Sequence, residues 1–312
     1  MSGIAILCSG QGYQGADMFD LLADAPEAGP VFKAAKFVLD GTDPRQLVRE
    51  ASKEALHADK VGQMLCCIQA MAAWTLVSAK VPRLLVVAGY SVGELAAWGV
   101  AGLLDYEGVL DLAVQRAAAM DAATTQPSGL AAIRGLKRDV LDPICRTHGA
   151  YVAIVNGEDQ MVVGGTSEAL AAVIHHAQSH GSERTTMLPV AVPAHTPLLA
   201  AASDTFRQAM TRAHLPAEVP ADVRLLSGID GAAVFDVHAG ADKLARQIKQ
   251  TVDWAACMQA CRAAGVTKVI ELGPGNALAR LMHEFMPDGD VHSLSEFHSL
   301  SGFEHWVERS SA

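Results

Sequence analysis

The stretch Gly89-Tyr90-Ser91-Val92-Gly93-Glu94 constrains this chain more than any other. An apolar, β-prone run, Leu84 to Ala88, comes before it, and Leu95-Ala96-Ala97-Trp98 follows at helical spacing. The order reads as strand, sharp turn, helix, the setting of a nucleophile elbow. A serine at such a turn projects its hydroxyl out of the sheet, and glycines two residues to either side let neighbouring backbone pass close by. The same residues also fit a second pattern. Ser91-x-x-Glu94 is a capping box, in which the serine closes a helix and does no chemistry.

The 312 residues carry enough apolar material for one large domain or two smaller ones: half are hydrophobic and 19% charged, a globular composition. Met1 to Cys8 lacks the basic region and long apolar run of a signal peptide, and no later stretch reads as a membrane span. A soluble, cytoplasmic protein with no membrane partner is expected. A net charge of -10 argues against a broad nucleic-acid surface, which needs excess basic residues. Six cysteines without C-x-x-C spacing read as reduced, buried thiols. Cys257 and Cys261 fall on one helix face, but no His or Cys pair nearby completes a metal site.

In chain order, Ile4 to Cys8 reads as a first strand, followed by the loop Ser9 to Gly15 and a helix through Phe19 and Leu22. Gly10 to Gly15 matches G-x-G-x-x-G. A dinucleotide fold would next need a strand ending in Asp or Glu about twenty residues on, and the segment after Asp24 reads as loop and helix instead. Gln63 to Ala79 is a long apolar helix interrupted by Gln69 and Thr75. Asp105 to Met120 is another, carrying Gln115 and Arg116.

From Gly129 the pattern changes. Strands at Leu130–Ile133, Val152–Val155, Met161–Gly164 and Thr185–Val192, with helices at Val140–Thr147 and Ser167–Ser179, make a β-α-β-β-α-β unit of ferredoxin-like type. Residues 127–193 therefore read as a subdomain inserted into a larger α/β domain formed by 1–126 and 194–312. His195 then stands between Pro193 and Pro197, the one histidine of twelve with restricted backbone on both sides. Helix returns at Leu198–Met210 and Ala241–Gln250, and a buried-type strand, Val266–Leu272, ends in Gly273-Pro274-Gly275.

The ordered set resembles the malonyl-CoA:acyl carrier protein transacylases over nearly the whole chain. The resemblance rests on G-Q-G-x-Q (Gly10 to Gln14), G-x-S-x-G-E (Gly89 to Glu94), Gln115-Arg116, N-x-x-x-Q (Asn156 to Gln160), V-P-x-H (Val192 to His195), V-x-W (Val252 to Trp254) and E-x-G-P-G (Glu271 to Gly275). It implies a hydrolase-like α/β domain with a parallel sheet plus the inserted subdomain. It also implies a catalytic dyad of Ser91 and His195, an oxyanion hole from the N–H groups of Gln11 and Val92, and Arg116 as the holder of the malonyl carboxylate. The residue matched to the family's His-orienting carbonyl is Asp253, whose own carboxylate is a rival for that role.

Two departures from the family's common pattern, Tyr90 with Val92 at the elbow and Cys8-Ser9 before the first loop, look like the branch that serves malonate decarboxylase as its epsilon subunit. The implied substrate is malonyl-CoA and the acceptor a phosphopantetheine-type thiol on an acyl carrier protein, with no metal and no permanently bound cofactor. Other decarboxylase subunits would be partners. A fatty-acid or polyketide-type transacylase, a thioesterase using the same dyad with water, and a non-catalytic assembly subunit are the alternatives.

Overall fold

The computed structural model describes residues 3–82 and 85–309. Leu84, Met1, Ser2 and the last residues of the 194–312 segment lie outside them. Among the described residues, ten strands form two five-stranded sheets. β1 (Gly3–Cys8), β2 (Leu85–Gly89), β7 (Val223–Leu225), β9 (Val266–Leu272) and β10 (Asp290–Ser293) make a parallel sheet in the order β10-β9-β1-β2-β7. All five β2 residues are buried. Such an unbroken apolar run is what a parallel strand covered on both faces requires.

The second sheet contains β3 (Ser128–Arg134), β4 (Tyr151–Val155), β5 (Gln160–Thr166), β6 (Arg184–Met187) and β8 (Val252–Asp253), ordered β6-β3-β5-β4-β8. Its first four strands are antiparallel in the ferredoxin-like order. Helices Arg138–His148 and Ser167–Ser179 cover one face through Leu141, Cys145, Leu170 and Val173. Leu130, Ala153, Ile154 and Val162 join the main core with Val192 and Ala194, the two-sided alternation of a pleated strand. β8, which follows Gln247 in the chain, pairs parallel with β4 and so fastens the small sheet to the segment behind His195.

Three expected elements differ. Phe19 and Leu22 lie in successive turns rather than a helix. Their spacing reflects burial, with the Phe19 ring edge-on to Phe32 at 5.3 Å. The strand expected to run to Val192 stops at Met187, because Pro189 and Pro193 have no N–H to give a ladder. The helix expected over 241–250 runs instead from Val237, capped by Asp236, to Gln247.

The helix Asp59–Val77 is long and apolar enough by composition to cross a membrane, contrary to the expectation from sequence. In this fold it is a core helix, packed against the helices Gly93–Val100 and Tyr106–Ala123.

Candidate active site

β1 and β2 run in register, so Cys8 and Gly89 end side by side and deliver the first loop and the elbow to one place. A Cβ on Gly93 would stand 2.1 Å from the Cys8 carbonyl oxygen, so only glycine lets the elbow pack on β1. Ser91 adopts φ 56°, the left-handed region, and His195 adopts φ 63°. Each conformation costs a non-glycine residue about 1–3 kcal/mol, strain of a kind that gathers at active sites.

The Ser91 hydroxyl makes no capping bond to the helix Gly93–Val100. Its Oγ lies 2.8 Å from His195 Nε2. The capping-box alternative therefore falls away, since no helix N–H donates to the hydroxyl among the described residues.

His195 is buried, and its Nδ1–H donates to the Gln247 carbonyl oxygen at 2.7 Å. A carbonyl only accepts, so the proton sits on Nδ1 and the Nε2 lone pair faces the serine. This corrects the assignment of Asp253. Its carboxylate caps the next helix through the N–H of Ala256 at 2.9 Å, and its N–H donates to Gly228. The chain passes the imidazole six residues earlier, where the helix Val237–Gln247 ends and leaves the last carbonyl free of helical bonding. Trp254 of the V-x-W segment serves the elbow differently, packing edge-on against Tyr90 at 5.4 Å.

Arg116 is fully buried, yet among the described residues it forms no ion pair. Its Nη1 donates to Gln63 Oε1 at 2.5 Å and its Nη2 to Gln247 Oε1 at 3.3 Å, while Nε has no partner. Gln247 Nε2 reaches the Ser91 carbonyl at 3.2 Å, so a single side chain connects the guanidinium to the nucleophile's backbone.

Desolvation raises the Asp59 carboxyl to about 6 and the Glu94 carboxyl to about 7, against the pull of Arg116. Sequence reasoning missed Gln63, Gln247 and Asp59, and gave Glu94 only as a cap or as the last residue of the elbow motif. The available signal was Asp59 and Gln63, four residues apart on an apolar helix and hence on one face.

The first loop closes over the serine. A Cβ on Gly10 would come within 3.5 Å of Ser91 Cβ. Gln11 is tied down by its side chain, Nε2 donating to Asp59 Oδ1 at 2.9 Å. Neither the Gln11 nor the Val92 N–H donates to a backbone acceptor among the described residues, which leaves both available to an oxyanion.

Behind this loop, Ser9 Oγ donates to Glu271 at 2.6 Å, joining the E-x-G-P-G turn to it. Among the described residues no three His, Cys, Asp or Glu side chains gather as a metal site. Cys257 and Cys261 are buried free thiols.

Burial first, then the positive charge of Arg116, pushes the His195 imidazole down to about 3. It is therefore a neutral base well below the ordinary imidazole range. Glu94, raised to about 7 by burial, bonds Gln247 and makes no hydrogen bond to His195 among the described residues. Labelling of Ser91 by an uncharged fluorophosphonate should stay level from pH 8 to pH 5. A loss with a midpoint near the ordinary imidazole value of about 6.5 would contradict this electrostatic account.

Residues 6–293 match the acyl transferase domain family. The malonyl CoA-acyl carrier protein transacylase of Mycobacterium tuberculosis is 30% identical over 282 residues, covering 88% of this chain and 91% of its own. The Haemophilus influenzae transacylase of the same description is 27% identical, covering 98% of this chain and all of its own. The crystal structure of an acyl-carrier-protein S-malonyltransferase from Burkholderia pseudomallei superimposes with a TM-score of 0.89 at 29% identity, over 97% of this chain and 99% of that one. The malonyl-CoA:acyl carrier protein transacylase structure from Xanthomonas oryzae gives 0.90 at 26% identity, over 98% of each chain.

Proposed function

Since this chain belongs to the acyl transferase domain family, we propose that it moves a malonyl group from malonyl-CoA to the thiol of an acyl carrier protein through a malonyl-Ser91 intermediate. The observation that carries this reading is Arg116. It is a buried cation with an unpartnered Nε, held one glutamine away from a Ser–His pair. The planar fork of a guanidinium binds both oxygens of a carboxylate at once, which favours malonyl over acetyl.

In the first half-reaction His195 Nε2 takes the Ser91 proton, and Oγ attacks the thioester carbonyl. The Gln11 and Val92 N–H groups receive the oxyanion. The C–S bond breaks, and the CoA sulfur leaves with the proton from His195. In the second half-reaction the carrier thiol gives its proton to His195 and attacks the serine ester. Ser91 Oγ leaves and recovers that proton.

The described cysteines are all buried free thiols. They suit a reducing compartment, and we assign the activity to the cytoplasm.

The relatives named above favour a fatty-acid or polyketide-type transacylase. Service to malonate decarboxylase, with its other subunits as partners, is a second reading favoured by one observation. This is the residue pattern itself, Tyr90 with Val92 at the elbow and Cys8-Ser9 before the first loop, which resembles that branch.

Incubation with malonyl-CoA and either a fatty-acid carrier or a malonate decarboxylase carrier tests both readings. Malonyl-carrier should accumulate, and faster transfer to one carrier assigns the branch. Free malonate accumulating with either carrier would make the protein a thioesterase instead.

A further inference from the structure

The surroundings of Arg116 have a symmetry that the transfer chemistry does not use. On one side the guanidinium donates to Gln63 Oε1, and Gln63 Nε2 donates to Asp59 Oδ2 at 2.7 Å. On the other it donates to Gln247 Oε1, and Gln247 Nε2 donates to Glu94 Oε2 at 2.5 Å. Each arm thus places one amide between the cation and a buried carboxyl group.

A carboxylate is an acceptor only, so it draws the NH2 end of each glutamine and turns the amide oxygen toward Arg116. A carboxylate in direct contact would stabilise the cation more strongly. It would also occupy the fork.

We propose that Asp59 and Glu94, when ionised, are positioning residues that hold their charge one glutamine away from Arg116, stabilising the buried cation while leaving its Nε–H edge to a carboxylate-bearing acyl group. This rests on the reading of Arg116 as the carboxylate holder. It makes acyl selectivity depend on the distance of the counter-charge as well as on the arginine. Asp59 has a second task, because its other oxygen holds Gln11 and couples the oxyanion loop to the same arm.

The test moves the anion without changing its amount. In the double variant Asp59→Asn, Gln63→Glu, the amide oxygen introduced at position 59 still accepts from Gln11. The amide nitrogen there donates to the carboxylate introduced at position 63, and that carboxylate accepts from Arg116. Net charge and hydrogen-bond pairing match the parent, but the carboxylate now touches the guanidinium.

KM for malonyl-CoA should rise at least about tenfold, while labelling of Ser91 by an uncharged fluorophosphonate stays within about threefold. An unchanged KM, or equal loss in both assays, overturns the proposal.

Should the double variant not fold, Asp59→Asn alone decides. Gln11 can reverse its amide there because its Oε1 has no partner, so the Gln63 arm keeps its orientation and loses only its charge. Malonyl-CoA should then raise the melting temperature more than it does in the parent, with KM no higher. A tenfold rise in KM would overturn the proposal. Arg116→Ala, assayed in parallel, separates the two levels. If it impairs malonyl and acetyl transfer alike, the carboxylate reading itself fails. If it is malonyl-selective while the double variant is silent, only the arms are wrong.

Discussion

Ser91→Ala should abolish the covalent malonyl-enzyme and lower carrier malonylation by at least about 10³-fold. The Ser91 hydroxyl is the group opposite His195 Nε2 at 2.8 Å and makes no helix-capping bond. Its loss removes the nucleophile and leaves the elbow helix intact. The melting temperature should accordingly stay within a few degrees of the parent, because alanine meets the same φ 56° that serine already bears. Intact-protein mass after incubation with malonyl-CoA reads the adduct directly. A malonyl adduct persisting on the alanine variant would move the nucleophile elsewhere.

The second large effect is expected from Arg116→Ala. Malonyl transfer should fall by about 10²–10³-fold, the scale for removing one partner of a desolvated, hydrogen-bonded charge pair. Acetyl transfer should be spared or increased. Equal loss for the two acyl groups would make the arginine structural.

The variant also has a stability signature. Asp59 and Glu94 are already raised to about 6 and about 7 by burial, and Arg116 is one of the influences holding them down. Without it both rise further. A carboxyl whose folded value lies above its unfolded one binds more protons when folded, so its burial is tolerated at low pH and costs stability as pH rises through the folded value. Arg116→Ala should therefore melt closer to the parent at pH 5 than at pH 8. The reverse order would contradict the buried-carboxyl account.

Much of the fold was legible in the chain because its strands are unusually explicit. β1 and β2 are short apolar runs closed by glycine-rich turns, and the change of pattern at Gly129 marks a ferredoxin-like order that the second sheet displays. Apolar spacing misled where burial did not mean helix, as at Phe19 and Leu22. Proline ended β6 earlier than its β-prone residues alone would indicate.

The candidate site divides in the same way. Ser91, His195, Arg116 and Gln11 stand out in the sequence because each sits in a motif with restricted backbone or a distinctive residue pair. Gln63, Asp59 and Gln247 do not. Their function arises from meeting across 53 positions between Gln63 and Arg116 and 131 positions between Arg116 and Gln247, and local pattern carries no record of such encounters.

The elbow and its strand-turn-helix setting follow from local residues alone, since glycine at 89 and 93 and an apolar run on each side are requirements of that turn. What the serine faces and what orients the histidine come instead from long-range packing. A main-chain carbonyl has no side-chain signature, so the role of the Gln247 oxygen follows from where the helix Val237–Gln247 stops beside His195. The unpartnered Nε of Arg116 is likewise a tertiary fact. Whether a buried cation pairs directly or through an amide depends on the distances between three helices and the segment behind His195, and those distances are set by packing.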